Sequence, residues 1–160
     1  MSDTLDSQLA AERNFPLAEN GKRLANYFVD MIAYYAMAGG LGVLIGLFAM
    51  ANDAGDELLY ELEKESVILD YVLGIIMITT YYTCMEYFFK GKTLGKFLTK
   101  TRAVGLDNSR LTFGQALGRS FSRLVPFEAF SFLGTPGEGW HDKWPKTKVI
   151  EDRDWVDVSF

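Results

Sequence analysis

The sequence predicts an all-α integral membrane protein with two full transmembrane helices, and three features of the chain lead to this fold class. Two apolar runs, residues 24–50 and 67–89, are each long enough to cross the roughly 30 Å hydrocarbon core of a bilayer. The loop between them is acidic, whereas the segment after the second run is basic. Later apolar segments are too short or too charged to cross, so we expect them to be interfacial or re-entrant.

The first run, Leu24 to Met50, contains a single charged residue, Asp30. A helix rises about 1.5 Å per residue, so Asp30 would lie roughly 10 Å deeper than Arg23. Their separation is almost two helical turns, so both side chains project from the same side of the helix. An acid at this depth costs on the order of 3 kcal/mol unless it is paired, hydrated or protonated. Asp30 is therefore either a functional residue or an acid that snorkels or pairs with Arg23.

Small residues recur every fourth position further along this run, at Ala38, Gly42 and Gly46. Such a stripe lets another helix approach closely. The pattern predicts helix packing, either within the chain or between copies.

The charge distribution predicts the orientation. The loop Asn52 to Ser66 is acidic, and Lys and Arg dominate residues 90–110. Basic loops stay in the cytoplasm, so both termini are expected there. Residues 1–20 lack the features of a signal peptide and are expected to form a flexible tail, as are the acidic residues 151–160.

A third helix is predicted from residue 113 to 125. Thr112 and Gln115 form a capping-box pattern at its start. Apolar residues recur on one face, and Arg119 and Arg123 lie on another. Two arginines make a poor spanning helix, so we expect an amphipathic helix in the interface plane. Residues 127–134 that follow are apolar but too short to cross, and are expected to be re-entrant or interfacial.

A small extended cap is predicted beside these helices. Residues 91–96 fail as a phosphate-binding loop because three residues, not four, separate the first glycine from Gly-Lys. Thr93 is instead expected to be the N-cap of a short helix. Residues 102–106 read as extended before a turn, and residues 147–150 are strand-like, so the two segments are expected to pair.

Several function classes are excluded or disfavoured. A single cysteine, Cys84, and a single histidine, His141, exclude an intrachain disulfide and a Cys/His zinc cluster. No nucleic-acid recognition module is present, and no metal or cofactor is expected. His141 and Asp142 lack an organised nucleophile and oxyanion site nearby, so we expect no enzyme activity. His141 either titrates near neutral pH or serves as a hydrogen-bonding residue.

Four segments in order resemble the RDD family of small bacterial integral membrane proteins. They are RLANYFVD, GKTLGKFLTKTRAVGLD, LTFGQALGRSFSRL and GWHDKWPKTKVI. The family is named for one arginine and two aspartates, which match Arg23, Asp30 and Asp142. The resemblance covers Lys22 to Ile150 and predicts a membrane domain over residues 21–150. It implies a location in the bacterial inner membrane.

The resemblance also implies transport, with cation/proton exchange in some members. Two spans cannot enclose a hydrophilic path alone, so transport here would require several copies or another membrane protein as a partner. The alternative is a membrane adaptor or accessory subunit that docks a partner protein or anionic lipid through its basic cytoplasmic face. The candidate site is a charged cluster at the cytoplasmic end: Arg23, Asp30, Glu86, Arg119, Arg123 and Asp142. Asp30 is expected to meet one of the arginines, with Glu86 within reach. The cluster either exchanges ions or fixes the fold.

Overall fold

The computed structural model describes residues 15–51, 67–128 and 139–152, together with Gly55, Glu57, Tyr60, Lys64 and Ser131. In chain order the elements are α1 (Asn20–Met50), α2 (Val67–Phe88), α3 (Leu94–Thr99), β1 (Thr101–Gly105), α4 (Phe113–Ser122), α5 (Trp140–Lys143) and β2 (Thr147–Glu151). The fold is mostly helical, as predicted.

Helices α1 and α2 are both long and apolar enough to cross a membrane. In the most apolar 18-residue stretch of α1 no residue is buried, and in that of α2 only 17% of the residues are buried. The core helix of a soluble protein would bury most of such a stretch. The apolar surfaces of both helices are therefore left for lipid or for other membrane helices.

Open space lies beside both glycines of the small-residue stripe of α1, within the part of the chain that the structure describes. A Cβ atom added at Gly42 or Gly46 would meet no atom within 4 Å, and the same holds for Gly74 on α2. The spans do approach at one point, where the Tyr34 hydroxyl donates to the Gly74 carbonyl at 3.4 Å. At Gly42 and Gly46, no close helix contact is thus observed among the described residues, and packing of the stripe stays a prediction.

Helix α4 packs against the last turns of α2. The Phe113 ring meets the Tyr87 ring edge-on at 5.6 Å, and Thr83 donates to Ser120 at 2.8 Å. The capping box between Thr112 and Gln115 is formed, as predicted. The helix ends at Ser122 rather than near residue 125, and most of residues 127–134 lie outside the described residues.

The orientation of α4 about its own axis is the reverse of that in a soluble protein. Ala116, Arg119 and Ser120 are buried, whereas Phe113 and Phe121 are exposed. Its polar side therefore faces the protein interior and its aromatic side faces outward. This arrangement suits a helix whose outer face contacts lipid.

The remaining elements form a compact unit, the cap, defined as residues 15–19, 91–111 and 139–152. Strands β1 and β2 pair antiparallel, with Ala103 opposite Val149, so the two segments expected to pair do so. The cap buries a small apolar core of Ala18, Ala103, Leu111 and Val149.

Residues 15–19 and 151–152, which were expected to belong to the two tails, are part of the cap, and backbone hydrogen bonds join the two segments to each other and to β2. The amide of Ala18 donates to the Val149 carbonyl at 2.9 Å, and that of Glu151 donates to the Pro16 carbonyl at 3.0 Å. Asp152 forms ion pairs with Arg102 and Lys92. Residues 1–14 and 153–160 lie outside the described residues.

Two glycines allow the segment between α2 and β1 to fold tightly onto α1. Gly91 has a φ of 83°, and a Cβ atom there would lie 1.9 Å from the Ala103 carbonyl oxygen. A Cβ atom on Gly95 would lie 2.5 Å from the Asn26 carbonyl oxygen. Thr93 caps α3 as predicted, accepting from the Lys96 amide. The segment is thus a structural turn and helix start that brings α3 against α1.

Candidate functional site

A set of buried charged side chains lies where the cap meets the spans, and we call it the buried cluster. All six residues of the expected charged cluster come together here, and the structure adds others that sequence reasoning missed. The members are Arg23 and Asp30 on α1, Glu86 on α2, Lys96 on α3, Arg119 on α4, Arg123 and Glu128 beyond it, and His141 and Asp142 on α5.

Glu86 is the first centre of this cluster, and its side chain is fully buried. It accepts hydrogen bonds from Lys96 Nζ at 2.6 Å, Arg119 Nε at 2.7 Å and Arg123 Nη2 at 2.8 Å. The Arg123 guanidinium also lies 4.2 Å from the centre of the Tyr82 ring, a favourable cation–π contact. One carboxylate therefore connects α2, α3 and α4.

Asp142 is the second centre, and it is also fully buried. Arg23 Nη1 donates to it at 2.6 Å, and Arg119 Nη1 donates to its other oxygen. Burial alone would raise the pKa of Asp142, but the neighbouring His141, Arg119 and Arg23 outweigh burial, so its pKa lies below the usual range. Asp142 stays ionised and ties α5 to α1 and α4.

Asp30 is bound differently, and the expectation that it meets Arg23, Arg119 or Arg123 is wrong. Its carboxylate accepts from the Thr93 hydroxyl at 2.6 Å, the Gly95 amide at 2.8 Å and the Tyr81 hydroxyl at 3.3 Å. Among the described residues, no basic side chain forms an ion pair with it. The reason is geometric: the close approach of α3 at Gly95 brings neutral donors to Asp30, while the arginines bind Glu86 and Asp142.

Glu128 and His141 form a pair that the sequence did not predict. The Glu128 side chain is buried and accepts from both the backbone amide and the ring Nδ1 of His141. Burial lowers the pKa of His141, although the neighbouring Asp142 and Glu128 carboxylates oppose this shift. Burial would raise the pKa of Glu128, but its contacts with His141 and Arg123 lower it. An isolated acid in the apolar segment 127–134 is the signal that would have identified Glu128, as it identified Asp30.

Lys96 was also missed as a member of the cluster at the level of sequence. Residues 91–96 were considered only as a possible phosphate-binding loop and as the start of a short helix. Its ammonium group is buried on Glu86. Burial lowers the pKa of Lys96 to about 8, although the Glu86 carboxylate opposes this shift. Among the lysine and arginine members of the cluster, Lys96 is therefore the first to lose its proton as the pH rises above neutral.

A small cavity lies inside the buried cluster. Its volume is about 40 Å³, enough for water-sized occupants. Besides His141, its lining includes the charged residues Arg23, Asp30, Lys96, Arg123 and Glu128. Three of these side chains are basic, which makes the cavity a poor environment for a metal cation. Consistently, no group of three or more His, Cys, Asp or Glu residues in the described part of the chain is placed to hold a metal ion.

A model of the RDD family matches residues 17–144, which include all members of the buried cluster. The chain belongs to the RDD family. This membership confirms the resemblance, and together with the two candidate spans it indicates a membrane protein. No curated protein and no solved structure matches the chain. Of the three residues matched to the RDD name, Arg23 and Asp142 pair with each other, whereas Asp30 on α1 accepts hydrogen bonds from Thr93 and Gly95 at the start of α3.

Replacing Arg119 by Gln should lower the free energy of unfolding by about 3–5 kcal/mol, because two carboxylates would lose a buried partner. Thermal and denaturant unfolding of the purified protein in detergent measures this loss. Lys22→Gln is the matched control, since Lys22 pairs with Glu151 at the surface, with 31% of its side chain exposed, and should cost no more than about 1 kcal/mol. Equal stability of both variants and the wild type would show that the cluster does not hold the fold.

Proposed function

We propose that this RDD protein is a non-enzymatic subunit of a membrane assembly, in which the cap holds two spans at one end so that their apolar faces pack with other copies. The observation that carries the proposal is the contrast between the two halves of the molecule. The cap end is tightly connected by buried ion pairs, whereas open space lies beside Gly42 and Gly46 on α1 and beside the Cα of Gly74 on α2. Small-residue surfaces in membranes favour close helix association.

The charge balance of the buried cluster supports a structural role. The basic members Arg23, Lys96, Arg119 and Arg123 are matched in number by the acidic members Asp30, Glu86, Glu128 and Asp142. Glu86 and Asp142 each contact more than one basic group, and Glu128 contacts His141. The pKa values of Asp142 and Glu128 are lowered, so these carboxylates do not take up protons near neutral pH. Groups held in this way are suited to fixing a fold rather than to exchanging ions.

The orientation follows from the same cap. Lys90, Lys100, Lys143 and Lys146 are exposed on the cap side, and the loop at the other end of the spans is acidic. The positive-inside rule supports a cytoplasmic cap with both termini inside. In a bacterial cell this corresponds to the inner membrane.

Cation/proton exchange is the second candidate, and one observation favours it. Asp30 is buried, pairs with no basic side chain among the described residues, and borders the cavity of the buried cluster. A buried carboxylate without a basic partner inside a membrane span is a candidate ion-binding group. The basic lining of the cavity weighs against a cation beside it, so we place this candidate second.

The oligomer is tested with Gly42→Leu, which should reduce crosslinking between copies in native membranes at least several-fold. Its control is Val43→Leu, since Val43 is exposed on the same helix but lies outside the stripe. If crosslinking of the wild type yields only the monomer, or if both variants crosslink to the same extent, the stripe mediates no contact between copies.

The exchange candidate is tested with Asp30→Asn, because Asn retains an acceptor for the Gly95 amide and strands no charge. We expect a loss of about 1–2 kcal/mol in stability. No change of Arg23 or Arg119 should restore that loss, since neither pairs with Asp30. In liposomes, we expect the wild type to show no sodium- or proton-driven flux above protein-free vesicles. Flux that is abolished in a folded Asp30→Asn protein would instead establish exchange.

A further inference from the structure

An open groove runs between α4 and the turn that follows α5. Its lining includes Gly114, Gly118 and Phe121 on α4, and Trp144 and Pro145 on the turn. It lies apart from the cavity of the buried cluster, with which it shares no lining residue. The assembly proposed above makes no use of it.

The shape of this groove suits a single hydrocarbon chain. A Cβ atom added at Gly114 would meet nothing within 4 Å, so the side of α4 is open there. At Gly118 a Cβ atom would lie 3.3 Å from Pro145 Cβ, so the opposite wall is in van der Waals reach. Phe121 and Trp144 are 52% and 60% exposed, respectively, and provide apolar sides. The groove is therefore lined by Gly114 and Gly118, which carry no side chain, and by the aromatic rings of Phe121 and Trp144.

The position of the groove places it at the level where acyl chains meet headgroups. Helix α4 contacts α2 at Thr83 and Tyr87, close to the end of that span. The Trp144 ring stacks on the Trp140 ring with 6.0 Å between centres. Tryptophans are enriched at the membrane–water interface, where one side of the ring is apolar and the other is hydrated. A groove beside such a pair opens both to the hydrocarbon and to the headgroup region.

The charges beside the groove select the headgroup. The turn that supplies Trp144 and Pro145 also carries Lys143 and Lys146, and both lysines are exposed. The phosphate of a lipid whose acyl chain lies over Gly114 would be near this turn. Basic residues at a membrane surface favour anionic lipids.

We propose that this groove binds one anionic phospholipid, with an acyl chain over Gly114 and Gly118 and the headgroup at Lys143 and Lys146. The bound lipid would fill the space between α4 and the cap. It would thereby join the membrane surface to the elements that hold the buried cluster. This site is independent of whether copies associate through α1.

The test uses the full chain, purified in detergent and delipidated, with phosphatidylglycerol and phosphatidylcholine added back and binding measured by native mass spectrometry. The wild type should retain one phosphatidylglycerol and bind phosphatidylcholine more weakly. Gly114→Leu should weaken phosphatidylglycerol binding at least tenfold by filling the groove. Gly40→Leu is the matched control, since its position on α1 is equally open and should leave binding unchanged. A thermal unfolding scan of each variant checks that it is folded.

The headgroup contact is tested by Lys143→Gln and Lys146→Gln. Each should weaken phosphatidylglycerol binding about five-fold and leave phosphatidylcholine binding unchanged. Equal binding of both lipids by the wild type, or equal binding by the Gly114→Leu and Gly40→Leu proteins, would overturn the proposal. So would a co-purifying protein that Gly114→Leu displaces while lipid binding stays the same, because the groove would then be a protein-docking site. None of these readouts depends on the oligomeric state.

Discussion

Arg119 lies fully buried between Glu86 and Asp142, and the arrangement of the cap depends on this bridge. The guanidinium joins α2 to α5 from its place on α4, and it also donates to Thr147 at the start of β2. Isolated buried charges are very costly, whereas paired and hydrogen-bonded ones are tolerated. Each element that contributes a charge must therefore stay in place for the others to be satisfied. This interdependence explains how a chain with a very small apolar core fixes its cap on two long helices.

The same constraint bears on function. A set of charges that neutralise one another has little freedom to bind and release an ion, because removing one partner strands the next. The outer surfaces, in contrast to this charged interior, are apolar. Helices α1 and α2 and the exposed face of α4 present apolar side chains that the described part of the chain does not cover. A rigid polar centre with apolar surfaces around it is suited to organising neighbours in a bilayer. Asp30 is the exception within the cluster, since its donors are neutral groups.

Much of the fold could be predicted because its signals are local. The two spans follow from long apolar runs, the start of α4 from its capping box, and the pairing of β1 with β2 from extended segments of suitable composition. The buried cluster was predicted only in part, since depth along a helix identifies Asp30 and Glu86 but not their partners. Partner choice depends on the close approach of α3 at Gly95, which delivers a backbone amide to Asp30. Helical spacing places Arg23 and Asp30 on one side, yet it contains no information about a tertiary contact between Arg23 and Asp142.

Two double-mutant cycles in detergent test most directly whether Arg23 pairs with Asp142 rather than with Asp30. The first combines Arg23→Gln with Asp142→Asn, and the second combines Arg23→Gln with Asp30→Asn, with the free energy of unfolding measured for each single and double variant. Residues in direct contact typically show coupling energies of about 0.5–3 kcal/mol. We predict coupling of that size in the first cycle, and additivity within about 0.5 kcal/mol in the second. Coupling between Arg23 and Asp30, with additivity between Arg23 and Asp142, would contradict this pairing.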